Sequence, residues 1–121
     1  MFDFEKLDVY RQLREQNVRV LQYLDSASNL DPYISDQLRR ATWSAVLNLA
    51  EGTGRMTKVD KKHYLTIARS SVFETVAIFQ GILDLKKIDR DQYETIYQGF
   101  EEVSKMLLGM IRSYTETPAN A

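Results

Sequence analysis

The chain has no cysteine and little proline or glycine, two and five residues respectively among 121. Without cysteine, disulfide bonds, thiolate catalysis and cysteine-based metal sites are excluded. The scarcity of proline and glycine leaves long uninterrupted segments, which favours helices over sheets. No apolar run reaches the length of a membrane span, and the acidic start MFDFEKLD differs from a signal peptide. We therefore expect a cytoplasmic protein that does not bind a membrane.

The charge is nearly balanced overall but unevenly distributed along the chain. There are 16 basic and 17 acidic side chains, and the formal net charge is −1. The formal net charge is −2 over residues 1–31, +4 over residues 32–70 and −3 over residues 71–121. Length and composition indicate one globular domain, and the net charge does not indicate a generally basic nucleic-acid binder. Only the middle third is basic.

Four segments carry apolar residues at intervals of three and four, the spacing of amphipathic helices. The first helix is predicted over Phe4–Ser26. Asp31 can cap the second, because its carboxylate accepts backbone N–H groups and Pro32 suits a first helical turn. Gly52 is predicted to end that helix as its C′ residue, since glycine adopts a left-handed conformation without steric cost.

The second half of the chain predicts two further helices. Thr57 can cap a third helix that continues to about Lys87, and Asp89 can cap a fourth. Short connections between long helices favour antiparallel neighbours. The sequence therefore predicts an all-α, up-down-up-down four-helix bundle over residues 1–115, followed by a flexible C-terminal tail at 116–121.

The second and third helices also carry apolar residues outside their core stripes. Trp43 and Leu47 lie roughly opposite the buried side of the second helix. Phe73 and Ala77 lie outside the stripe of the third. We predict that these four residues contact another subunit, because monomers rarely leave large apolar patches in water. The alternative is a core wide enough to bury them within one subunit.

A polar motif near the end of the second helix consists of Arg40, Asn48, Glu51 and Gly52. Asn48 and Glu51 are three residues apart and therefore lie on neighbouring parts of one helix face. One interpretation makes them a recognition site. The other gives them a structural role, bonded to backbone or to arginine, and we favour it because buried polar groups need partners.

Basic residues gather around the second loop and the first turns of the third helix: Arg55, Lys58, Lys61 and Lys62. A helix N-terminus adds partial positive charge and free N–H groups, which together suit a phosphate. Repeated around a ring, such a cluster would form a basic rim with multivalent contacts. The alternative is a solvated charged loop.

No set of residues indicates an enzyme. Asp60 and His63 have the spacing of one Glu-x-x-His pair from di-iron bundles, but such sites need two pairs and further glutamates. The chain has one histidine. There is no phosphate-binding glycine loop, nucleophile elbow or zinc spacing. We expect no catalytic site, no metal, no cofactor and no small-molecule substrate.

Several motifs together resemble one bacterial protein family. Residues 37–41 read QLRRA, residues 48–52 read NLAEG, and Gly54 precedes Arg55. Residues 64–74, YLTIARSSVFE, follow as a second helix signature. This combination resembles the four-helix-bundle proteins first noticed as reading frames inside intervening sequences of large-subunit ribosomal RNA genes.

The resemblance implies a small cytoplasmic helical protein without catalytic activity that assembles into a ring, pentameric in known relatives. The family is similar to the accessory variability protein of diversity-generating retroelements, whose pentamer binds nucleic acid and a reverse transcriptase. We therefore expect a self-associating module that binds RNA, DNA or a reverse transcriptase through the basic cluster. The alternative is a structural oligomer with a protein partner and an incidental basic cluster.

Overall fold

The computed structural model describes residues 1–115, which form four long α-helices preceded by a short 3-10 turn. After the turn at Asp3–Lys6, the helices are α1 (Asp8–Ser26), α2 (Pro32–Thr53), α3 (Lys58–Asp84) and α4 (Arg90–Ser113). No strand occurs within residues 1–115, so the predicted all-α four-helix architecture is confirmed. In the same range, no helix has an apolar stretch that could cross a bilayer. The tail predicted at 116–121 lies outside the described residues.

Three helices begin at the cap residues expected from the sequence. The Asp31 carboxylate accepts a hydrogen bond from the Tyr33 N–H at 2.7 Å, at the start of α2. Thr57 Oγ1 accepts from the Asp60 N–H at 3.1 Å, at the start of α3. The Asp89 carboxylate accepts from the Asp91 N–H at 2.9 Å, at the start of α4. These side chains satisfy N–H groups that have no partner within the first helical turn.

The prediction that Gly52 ends α2 as its C′ residue is wrong. Gly52 is buried inside the last turn, and the helix continues to Thr53 before Gly54 caps it in a right-handed conformation. A Cβ at position 52 would lie 3.0 Å from the Tyr64 Cβ. Glycine is therefore needed here because α3 approaches closely, and the position does not require a left-handed backbone.

Two other helix boundaries differ from the predicted ones. Leu7 is extended, with φ of −92° and ψ of 130°, so the helix predicted from Phe4 begins at Asp8 instead. At the far end of the bundle, α3 stops at Asp84 because Lys86 adopts a left-handed conformation with φ of 58°. The Lys87 N–H donates a hydrogen bond to the Ile82 carbonyl of α3 at 3.0 Å, which completes a Schellman cap.

Each helix packs against two neighbours, and α2 with α3 is the most extensive pair. Contacts along this pair run in opposite sequence order, since Ser44 meets Ser71 whereas Gly52 meets Tyr64. All four helices contribute to one core. Its fully buried side chains include Leu13, Val20, Leu38, Leu49, Leu65, Val72, Phe79, Phe100 and Leu107. Burial of this apolar surface is the main force holding the bundle together.

Two buried polar side chains of α1 join it to its neighbours. Thr42 Oγ1 of α2 donates to Asn17 Oδ1 at 2.9 Å. Gln16 Nε2 donates to the Ile96 carbonyl of α4 at 2.8 Å. Both α1 side chains are almost completely buried. Because no bulk water reaches these groups, each hydrogen bond satisfies an atom that would otherwise destabilise the fold.

Tyr23 attaches the last turns of α1 to the loop between α3 and α4. Its hydroxyl donates to the Lys87 carbonyl at 2.8 Å, and its ring meets Phe79 edge-on with 5.4 Å between centroids. Burial raises the pKa of the Tyr23 hydroxyl above its usual value. The hydroxyl is therefore a neutral donor throughout the physiological pH range.

Candidate interaction surfaces

The predicted basic cluster lies where α2 turns into α3, but Arg55 is held within the fold. Its guanidinium pairs with the Glu51 carboxylate and donates to the Tyr64 hydroxyl at 2.6 Å. The same group lies over the Tyr64 ring, 4.4 Å from the centroid. Arg55 therefore connects the end of α2 to α3, and Glu51 is its partner in that connection.

Lys61 also binds a group within the fold, so only Lys58 and Lys62 of the cluster could contact a partner. Its Nζ donates to the Thr53 carbonyl at 2.9 Å, at the C-terminal end of α2, where the helix dipole favours a cation. Lys58 is exposed and Lys62 is half-buried. Neither forms an ion pair among residues 1–115. Spaced by four, they lie on one side of the first turns of α3 and remain available to an anion.

Asn48 belongs to a polar contact between α2 and α3. Its Nδ2 donates to the Ser44 carbonyl at 2.8 Å and to the Ser44 hydroxyl at 3.1 Å. That hydroxyl lies 2.8 Å from the Ser71 hydroxyl of α3. Arg40, one turn before Ser44, pairs with Asp36 at 3.1 Å on the surface of α2. Asn48 and Arg40 are thus bonded to other groups of the protein, as the structural interpretation of the motif expects.

The four residues predicted to contact another subunit are exposed, but they lie on two sides of the α2–α3 pair. Trp43, Leu47 and Phe73 are 42%, 59% and 54% exposed, and Ala77 is exposed as well. Leu47 lines a hollow with Phe4, beside the N-terminal turn. Phe73 and Ala77 line a groove between α3 and α4. One subunit therefore does not bury them.

The groove between α3 and α4 has a volume of about 290 Å³ and mostly apolar walls. We call it the α3–α4 groove; it is lined by Val72, Phe73, Val76, Ala77, Gln80, Tyr97, Phe100, Glu101 and Ser104. Arg69 lies at one end, with its guanidinium 4.6 Å from the centroid of the Phe73 ring. Its Nε donates to the Ser104 carbonyl at 3.2 Å, so this arginine connects α3 to α4 and covers one face of the Phe73 ring.

Residues 5–109 match the model of a family described as 23S rRNA-intervening sequence protein. This chain belongs to that family. The match runs from the N-terminal turn into the last turns of α4 and so includes all four helices. The resemblance inferred from the short motifs of α2 and α3 is therefore confirmed for nearly the whole described chain.

A solved structure shares the fold of this family member. It is the crystal structure of a protein of unknown function from the S23 ribosomal protein family of Bacteroides thetaiotaomicron VPI-5482, 25% identical to this chain. The alignment covers 86% of this chain and 98% of that one, with a TM-score of 0.80. Among curated proteins, none matches this chain.

His63 is exposed on α3, and its ring meets Tyr64 edge-on with 5.3 Å between centroids. Asp60, three residues earlier, is exposed in the first turn of the same helix. In the part of the chain that the structure describes, no group of three His, Cys, Asp or Glu side chains could hold a metal ion.

Sequence reasoning missed the α3–α4 groove and the contact between α1 and α4. The apolar pattern of α4 places Tyr97 and Phe100 on its inner side, but it does not reveal that a gap remains beside α3. Gly99 could have been a signal, because glycine inside a strongly helical segment indicates close packing. A Cβ there would overlap the side-chain amide of the buried Gln16.

Proposed function

We propose that this family member is a non-catalytic interaction module of the cytoplasm that self-associates into a ring through α2 and α3. The observation that carries the proposal is the exposure of Trp43, Leu47 and Phe73 in the middle of α2 and α3. Aromatic and large aliphatic side chains in such patches are typical of protein interfaces, where association removes them from water. A pentamer is the size expected from the family resemblance.

The second part of the proposal is that the ring binds nucleic acid, or a nucleic-acid enzyme such as a reverse transcriptase. Lys58 and Lys62 support it, because both lie in the first two turns of α3 and neither forms an ion pair within residues 1–115. Thr57 accepts a hydrogen bond from the Asp60 N–H, and the first N–H groups of any helix have no partner within the helix itself. Repetition of this pair around a ring would add weak phosphate contacts into useful affinity.

A structural oligomer with a protein partner is the competing proposal. It is favoured by the internal use of Arg55 and Lys61, which removes half of the predicted basic cluster from the surface. With only two lysines per subunit, phosphate binding depends entirely on assembly. The two proposals therefore differ in whether the assembled protein binds nucleic acid with a measurable salt dependence.

The self-association is tested by the absolute mass in solution, measured by light scattering across a dilution series. We expect a mass that corresponds to a pentamer and stays constant over a wide concentration range, because a closed ring gives every subunit two interfaces. A mass that corresponds to one chain at every concentration would remove the basis of the proposal.

The nucleic-acid contact is tested by titrating RNA and DNA oligonucleotides at several salt concentrations. Each phosphate contact should contribute about 0.7 to the slope of log affinity against log salt for a single strand. The double variant Lys58→Glu/Lys62→Glu should lose most of this slope. Lys105→Glu/Arg112→Glu is the matched control, since it makes the same charge change on exposed positions of α4. Equal effects of the two variants, or no slope in the parent, would favour the protein-partner proposal.

A further inference from the structure

The exposed side of α2 carries a short apolar ridge, formed by Trp43 and Leu47 on successive turns. Arg39 lies one turn before Trp43 on the same exposed side. No carboxylate of residues 1–115 pairs with Arg39, whereas the neighbouring Arg40 is paired with Asp36. The α2 ridge therefore presents large apolar side chains next to an unpaired positive charge.

The α3–α4 groove has the opposite shape and the opposite charge. Its floor and walls include Val76, Ala77 and Phe100, which form an apolar trough open to solvent. Glu101 lines one wall and is exposed. Its carboxylate forms no ion pair within residues 1–115 and accepts a hydrogen bond from the Tyr97 hydroxyl, 3.5 Å from Oε2. The groove thus presents an apolar recess next to an unpaired negative charge.

The ridge and the groove face different directions. Leu47 lines a hollow shared with Phe4, so the α2 ridge lies on the side of the bundle nearest the N-terminal turn. The groove lies beyond α3, between α3 and α4. The two surfaces of one subunit consequently cannot meet each other, although each could meet the complementary surface of a neighbour.

We propose that the α2 ridge of one subunit docks into the α3–α4 groove of the next subunit, with Arg39 facing Glu101 across the contact. The inference rests on the proposed self-association and specifies which surfaces form it. A second copy of this chain is the occupant because apolar shape and charge are both complementary, and both surfaces belong to the same sequence.

This contact joins two different surfaces, and it is therefore heterologous. Such contacts repeat in one direction and close into a ring when the rotation between neighbours allows it. An isologous contact, in which the same patch of two subunits pairs with itself, would stop at a dimer. Because the ridge and the groove lie on separate sides, the same contact can extend the assembly beyond a dimer, which a ring requires.

The test mixes two variants that each keep one of the two surfaces. Trp43→Glu should disable the ridge and keep the groove, whereas Ala77→Glu should block the groove and keep the ridge. Each variant alone should be monomeric, because it lacks one half of the only contact. Their equimolar mixture should form a one-to-one dimer, detected by native mass spectrometry or by a doubling of mass in light scattering.

Tyr33→Glu is the matched control for the added charge. Tyr33 is 71% exposed at the start of α2, away from the ridge, so this variant should assemble like the parent protein. The charge pair is tested separately. Arg39→Glu should weaken assembly about tenfold or more, and adding Glu101→Arg should restore it, as expected for an interfacial ion pair.

The outcomes separate this inference from the proposed function. A parent protein that forms a ring, together with a variant mixture that stays monomeric, would overturn the ridge-in-groove contact while leaving self-association intact. A parent protein that is monomeric would overturn both. Dimers formed by either variant alone would indicate an isologous contact and contradict the proposal. Failure of Glu101→Arg to restore the Arg39→Glu variant would overturn the charge pairing.

Discussion

Gly99→Ala is expected to lower the free energy of unfolding by about 1–3 kcal/mol, although alanine favours helices. A Cβ at this position would overlap the side-chain amide of Gln16, which is 1% exposed. The amide would have to move and would lose its hydrogen bond to the Ile96 carbonyl of α4, now 2.8 Å long. The buried Gln16 amide would then lack its hydrogen-bond acceptor, which outweighs the gain of about 1 kcal/mol in helix propensity.

Gly109→Ala is the matched control for this prediction, since it lies in the same helix. A Cβ there would have no neighbour within 4 Å, and the residue is exposed. This variant should therefore be more stable than the parent by up to about 1 kcal/mol. Urea unfolding followed by circular dichroism measures both changes. The same sign of change for the two variants would mean that the Gln16 contact does not determine the stability at position 99.

Thr42→Val is expected to lower the free energy of unfolding by about 1–3 kcal/mol while leaving the shape of the core unchanged. Its hydroxyl is the donor to Asn17 Oδ1 at 2.9 Å, and both residues are buried between α1 and α2. Valine has nearly the same shape but cannot donate. The buried Asn17 Oδ1 would then have no hydrogen-bond donor. The free-energy cost of leaving this oxygen unpaired exceeds the net stabilisation that the hydrogen bond provides.

The second substitution in this pair should reverse the effect of the first. Adding Asn17→Leu to Thr42→Val replaces both polar partners by apolar side chains of similar volume, and such replacements can be neutral or stabilising. The double variant is therefore expected to be more stable than Thr42→Val alone. A double-mutant cycle of urea midpoints measures the coupling. Additive losses would show that Asn17 and Thr42 act independently.

The features that depend on local chemistry could be predicted from the sequence. Asp31, Thr57 and Asp89 cap helices because their side chains reach a backbone N–H two or three residues ahead, and nothing beyond those residues is needed. The helical spacing of apolar residues likewise depends only on the period of the helix. The number of helices, their approximate ranges and the all-α architecture follow from these two signals.

Gly52 shows why other features could not be predicted. Glycine near the end of a helix commonly adopts a left-handed cap, so the local rule pointed to a C′ residue. In the structure the reason for this glycine is the Tyr64 Cβ of α3, and that neighbour is known only once the two helices are packed. The left-handed cap occurs instead at Lys86, a residue type for which the rule gives no signal.

The same limit applies to the candidate surfaces. From the sequence alone, Arg55 and Lys61 are expected to be free cations, because they lie in a polar, basic segment. Their actual partners, the Tyr64 hydroxyl and the Thr53 carbonyl, come within reach only when α3 folds back along α2. Trp43 and Phe73 both lie outside the core stripes of their helices, which predicts an interface, but periodicity alone does not show that they face different sides of the bundle.

The arrangement of the four helices also sets an order in which the chain can fold. Ser44 and Ser71 of the α2–α3 pair are 27 residues apart in sequence, whereas Gln16 and the Ile96 carbonyl are 80 residues apart. The entropy lost on closing a loop grows with its length, so the helical hairpin of α2 and α3 forms at the smaller cost. We expect the seam between α1 and α4 to close last, because contacts between the other neighbouring helices join residues only 25 to 35 apart in sequence. In a ring, the hairpin that carries Trp43 and Phe73 would thus be organised before the chain termini are in place.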